Sequence, residues 1–157
     1  MINSSERKRK KKARSSKPIS CFNYALRLLS RRDYSVKELE QKLIKKYSEE
    51  EVKNTINKLT ERELLNERLY AERLIKKYAF EKKYGYLKIK YLLIAKGIKH
   101  EVFEPLLSAI YDEDKERENA LLLSTKRPLD KLGGFLSSRG YREFTVRKVL
   151  AELKDRR

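Results

Sequence analysis

Lys82, Lys83, Lys88 and Lys90 are interleaved with Tyr84, Tyr86 and Tyr91. Ammonium groups grip phosphates and phenol rings stack on bases, so this is the composition of a surface for single-stranded nucleic acid. The same rings can also serve a core whose hydroxyls reach outward. That reading is favoured for Tyr70 and Tyr78. Tyr84 and Tyr86, in a turn, fit either role. Other basic clusters lie along the chain. Arg31 and Arg32 end one helix, and Lys45 and Lys46 the next. Lys76, Lys77, Lys82 and Lys83 fall on a long helix, followed by Lys88, Lys90 and Lys96. Arg139, Arg142, Arg147 and Lys148 mark the last part of the chain. A single cation near a helix C-terminus can be explained by the dipole, at about 0.3–1 kcal/mol. The collective excess, with 40 Lys+Arg against 23 Asp+Glu and a net charge of +17, points to a polyanionic or acidic partner.

Other chemistry is poorly served. One Cys and one His cannot build a zinc site, which needs about four ligands. Cys21 has no His nearby in the chain, and His100 beside Glu101 sits where a helix begins, as a capping or surface residue would. Glu49, Glu50 and Glu51 occupy the first turn of a helix, where carboxylates complement the dipole without a metal. Neither glycine-rich phosphate-binding motif occurs. These features argue against an enzyme and for no cofactor. A lone Cys fits a reducing compartment, and no stretch approaches the ~18 apolar residues of a membrane span. A monomeric, cytoplasmic, helix-rich protein is expected.

The charge is unevenly placed. Residues 1–18 carry Arg7, Lys8, Arg9, Lys10, Lys11, Lys12, Arg14 and Lys17 against Glu6 alone, a net +7 that leaves +10 for the remainder. This stretch is almost without apolar residues. It reads as a disordered basic arm able to make non-specific phosphate contacts.

From about Ile19 the pattern is helical and repeats. Offset by 43, Ile89, Leu92, Leu93, Lys96, Gly97 and Ile98 meet Leu132, Phe135, Leu136, Arg139, Gly140 and Tyr141. Phe103, Leu106, Leu107 and Ile110 then meet Val146, Val149, Leu150 and Leu153. An earlier copy fits at an offset of 50 through Leu39, Leu43, Val52 and Ile56, with a one-residue slip at Leu59 and Tyr47 in place of glycine. Each unit reads as three helices. Ser35 with Glu38 and Ser48 with Glu51 are capping boxes, and Asn66 is an N-cap. Gly97 and Gly140 suit the left-handed residue that ends a helix, and Pro128 suits a helix start. The spacing predicts an all-α fold: units over residues 19–65, 66–111 and 112–157, stacked as an elongated, curved array because each unit alone buries too little.

Four runs resemble the bacterial regulatory protein family RecX: ALRLLSRRDYSVKEL from Ala25 to Leu39, LLNERLYAER from Leu64 to Arg73, KGIKHEV from Lys96 to Val102, and RGYREFTVRKVL from Arg139 to Leu150. Their order and spacing cover nearly everything outside the arm. The resemblance implies three tandem three-helix repeats and a modulator of the RecA recombinase. Such a protein binds RecA or its filament on single-stranded DNA and mainly inhibits recombinase, ATPase and co-protease activities in DNA repair. The basic clusters above, with Tyr84 and Tyr86, then become candidate contacts to RecA or DNA. The alternative is a sequence-tolerant DNA- or RNA-binding helix-turn-helix module that acts without RecA.

Overall fold

The computed structural model describes residues 17–157. The arm residues Arg7, Lys8, Arg9, Lys10, Lys11, Lys12 and Arg14 lie outside the described residues. Nine α-helices follow, with no strand among the described residues: α1 (Cys21–Arg31), α2 (Val36–Leu43), α3 (Glu49–Glu61), α4 (Glu67–Lys76), α5 (Tyr86–Ala95), α6 (His100–Ile110), α7 (Glu113–Leu123), α8 (Leu129–Ser138) and α9 (Glu143–Asp155). Among the described residues, no helix is long and apolar enough to cross a membrane.

Apolar residues at spacings of three and four give each helix one buried stripe, and the stripes meet in three separate cores. Ala25, Leu39, Leu43, Val52, Ile56 and Leu59 form the first. Ala71, Leu74, Ile75, Ile89, Leu93, Phe103 and Leu107 form the second. Ala120, Leu123, Leu132, Leu136, Val146 and Val149 form the third. Each core joins three consecutive helices.

Helix boundaries follow local chemistry. Both expected capping boxes form, Ser35 with Glu38 and Ser48 with Glu51, and Asn66 accepts from the Leu69 amide at 3.0 Å. Gly97 and Gly140 end α5 and α8 with φ of +78° and +85°. Tyr47 needs no such conformation. The Tyr47 amide donates to the Leu43 carbonyl at 3.0 Å, and Ser48 caps α3 directly. The turn is one residue shorter than in the other two groups. The register slip therefore lies in this turn and not at Leu59: Val52, Ile56 and Leu59 correspond to Phe103, Leu107 and Ile110.

α4 continues as a π-helical turn over Lys77–Glu81. Such a turn alters the ladder of backbone bonds, and here Asn119 donates its side-chain amide to the Ala79 carbonyl at 2.7 Å. Lys82 and Lys83 consequently follow the helix and do not lie on it. Lys83 has φ +54°.

The three groups are joined in series by the same device used twice. At the first joint the Ser35 hydroxyl donates to the Lys96 carbonyl at 2.6 Å, and Gly97 lies against the Lys37 side chain. At the second, the Gly85 and Leu87 amides donate to the carbonyls of Arg139 and Gly140, each at 2.9 Å. In each case the start of one group's middle helix docks on the turn closing the next group's middle helix. A glutamate from the next group completes the contact. Glu67 accepts from the Val36 amide at 3.0 Å, and Glu116 from the Tyr86 amide at 2.9 Å.

The second joint is the tighter. A Cβ on Gly85 would overlap the backbone of Gly140 and Tyr141, and one on Gly140 would overlap the backbone of Lys88. At Gly97 it would meet the Lys37 side chain from Cβ to Cδ, and no backbone atom is among its nearest neighbours. Gly85→Ala and Gly140→Ala should each lower stability by about 1–3 kcal/mol or more, since overpacked backbone cannot move aside. Gly97→Ala should lose less, mainly through its left-handed backbone. Urea unfolding would check the order; equal losses at Gly97 and Gly85 would contradict it.

Candidate nucleoprotein interface

Several of the expected basic residues are paired or stacked within the chain itself. Arg32 pairs with Glu38 at 3.2 Å and lies 3.9 Å over the Tyr34 ring. Lys76 pairs with Glu72, Lys90 with Glu104 and Lys148 with Glu113, at 2.9, 3.8 and 3.6 Å. Arg147 pairs with Glu143. Arg142 pairs with the buried Glu116 at 2.9 Å, stacks 4.0 Å from the Tyr86 ring and is fixed by the second joint. Lys46 lies 4.3 Å over Tyr24. Arg31, Lys45 and Lys77 are exposed but scattered. The Lys96 carbonyl is committed to the first joint.

Tyr86 is corrected from a possible stacking residue to a core one. It is 8% exposed, and its hydroxyl lies within hydrogen-bonding distance of Glu104 and Ser108. Tyr70 is buried as expected. Desolvation, with the Glu38 carboxylate beside it, pushes its hydroxyl well above the ordinary tyrosine range. Tyr78 packs half-buried beside Tyr84, ring centroids 6.0 Å apart. Tyr91 is the opposite case, 70% exposed.

The structure does bring one set of predicted residues together, at the second joint. Lys88 lies 3.9 Å over the Tyr84 ring. Arg139 lies 5.3 Å from the same ring and 5.7 Å from that of Phe135. Arg127, which the sequence reading missed, lies 4.6 Å from Phe135. Cations and rings thus alternate as Lys88, Tyr84, Arg139, Phe135 and Arg127. Lys82 and Lys83 border the row, for Arg139 donates to the Lys82 carbonyl and Tyr141 to that of Lys83 at 2.8 Å. None of Lys82, Lys83, Lys88, Arg127 and Arg139 has a carboxylate partner among the described residues. The repeat itself held a signal for Arg127: at an offset of 43 it occupies the place of Tyr84.

One position changes the charge between the two joints, although Lys37 and Lys96 also lie at the first. Glu38 in the first group corresponds to Lys88 in the second. Glu38 neutralises Arg32, whereas Lys88 adds a charge beside Arg139. The Tyr84 carbonyl accepts from Tyr111 at 3.0 Å, which fixes the backbone carrying the ring. Burial pushes the Tyr111 hydroxyl up to about 12. An array of fixed rings with unneutralised cations can hold phosphates and stack against exposed bases or side chains. No cluster of three or more His, Cys, Asp or Glu able to hold a metal occurs among the described residues.

Residues 21–59 match the family model for the first three-helix domain of RecX. The chain is 30% identical over 142 residues to the regulatory protein RecX of Chlorobium phaeobacteroides, covering 84% of this chain and 92% of the relative. The chain belongs to the RecX family. The RecX regulatory protein of Caldanaerobacter subterraneus is 31% identical over 134 residues, 82% of this chain and 68% of that one. The crystal structure of RecX from Lactobacillus salivarius superposes with a TM-score of 0.79 at 25% identity, covering 85% of this chain and 94% of that one. A regulatory role goes with the RecX family, and the all-α repeat architecture expected from the sequence is the one observed.

Proposed function

We propose that this RecX-family chain binds the RecA recombinase filament on single-stranded DNA and restrains it, lowering its ATPase, recombinase and co-protease activities. The observation that carries this reading is the row of unneutralised cations and rings at the second joint. It sits on a repeated helical body whose surface can follow a long polymer. The exposed Arg31, Lys45 and Lys77 and the cations of the arm add long-range attraction to the phosphates.

Binding should be steeply salt-dependent, because each phosphate contact releases a counterion. A RecA filament assembled on labelled single-stranded DNA should bind the chain more tightly than the same oligonucleotide alone. Replacing Lys82, Lys83 and Lys88 together by Gln should flatten the slope of log affinity against log salt by about 2, near 0.7 per lost contact. Fluorescence anisotropy across a salt series would measure it. Tight binding to the bare oligonucleotide, with no preference for the filament, would instead support a nucleic-acid module acting without RecA.

A further inference from the structure

A surface helix of a folded protein normally shows water its charged side. α5 does not. Leu87 and Ile94 are each 53% exposed and Tyr91 is 70% exposed. Ala95 is exposed beside them. At spacings of four, three and one these residues form a single stripe. The opposite side of the same helix carries the buried Tyr86, Ile89 and Leu93, so α5 is apolar on two faces and uses only one for its core.

The repeat supplies an internal control. α2 and α8 occupy the same place in their groups and bury the equivalent Leu39 with Leu43 and Leu132 with Leu136. Yet the positions matching Leu87, Tyr91, Ile94 and Ala95 are Lys37, Gln41, Ile44 and Lys45 in α2. In α8 they are Asp130, Gly134, Ser137 and Ser138. Ile44 alone is apolar. The fold therefore makes no demand for apolar residues on this face, and the middle group carries them for another reason.

We propose that the outward face of α5 is a docking surface for a protein segment that is acidic and carries apolar side chains, such as an amphipathic helix. Two observations choose this occupant. A central Tyr flanked by aliphatic residues, without charge, has the make-up of a protein-interface core. Leu and Ile offer no ring for base stacking, and nucleic-acid interfaces are more polar than this. Second, the end of α5 and the turn after it carry Lys96 and Lys99, with no acidic residue from Leu87 to Lys99, so the charge beside the stripe favours a partner of opposite sign. The inference rests on the proposed function in one respect: it assigns this stripe to the RecA side of the filament and leaves the cation row at the second joint for phosphates.

The test compares the intact chain with the charge-neutral variant Leu87→Gln/Tyr91→Ala/Ile94→Gln, the milder Tyr91→Ala, and Ser137→Gln on α8 as a control. Each is titrated against RecA filaments on oligo-dT and against oligo-dT alone, with circular dichroism as the check on folding. The triple variant should lose at least about tenfold in filament affinity, and Tyr91→Ala at least about threefold, as truncated interface anchors do. Affinity for oligo-dT alone should stay within about twofold, and Ser137→Gln should change neither. If the triple variant fails to fold, Tyr91→Ala decides, since alanine favours the helix. Unchanged filament affinity in the variants overturns the inference while the proposed function stands. Equal losses on oligo-dT alone also overturn it, marking the stripe as a nucleic-acid surface. A wild-type chain that binds no filament overturns the proposed function and this assignment with it.

Discussion

Glu116→Ala should destabilise the chain by about 3 kcal/mol or more and loosen the last three helices from the middle three. The Glu116 side chain is completely buried. Its Oε1 accepts from the backbone amides of Tyr86 and Arg142, at 2.9 and 3.2 Å. Its Oε2 accepts from Arg142 Nε at 2.9 Å and from the Thr145 hydroxyl at 2.6 Å. Two of these donors belong to helix starts, so the carboxylate caps α5 and α9 together and complements both dipoles. Removing it strands a largely buried guanidinium, two amides and a hydroxyl, and an unpaired buried charge is the most damaging of these losses. Glu116→Gln should fall between, because an amide retains one accepting oxygen but turns a donor toward Arg142.

Glu67→Ala is the internal comparison. Glu67 fills the same role at the first joint, but it is only partly buried and caps only the Val36 amide. Its loss should be about 1 kcal/mol. Urea unfolding of the three variants would check the ordering. A Glu116→Ala loss no larger than that of Glu67→Ala would contradict the role assigned to the second joint.

Much of the fold was legible because its rules are local. Capping boxes at Ser35 and Ser48, the glycines at 97 and 140, and apolar stripes at helical spacing all act within a few residues, and all appear where expected. The offset of 43 between the second and third groups also survives, since those turns are equal in length. The slip in the first group was visible, but its place was not. Whether Tyr47 replaces a left-handed glycine or ends a shorter turn depends on which residue caps α3.

The candidate site was less legible, for a physical reason. A lysine reads the same whether it faces solvent, a ring or a carboxylate thirty residues away. Arg142 looked like a free cation because nothing near it in the chain reveals Glu116. Lys88 reads as one cation among many, and only the packing of the second joint sets it and Arg139 over the same Tyr84 ring. Tyr86 and Tyr91 share a helix five residues apart, and only the packing of α5 sends one inward and the other out. Arg127 stands alone in the sequence, and only the folded chain sets it over the Phe135 ring, eight residues on in α8.

The proposed restraint of RecA is tested most directly by RecA's ATP hydrolysis on single-stranded DNA, titrated with the intact chain at low salt. Because one bound chain would interrupt a polymer of many subunits, hydrolysis should fall at substoichiometric ratios of chain to RecA. The Lys82, Lys83 and Lys88 triple Gln variant should require more protein for the same effect. An unchanged rate at equimolar chain and RecA would contradict the proposed function.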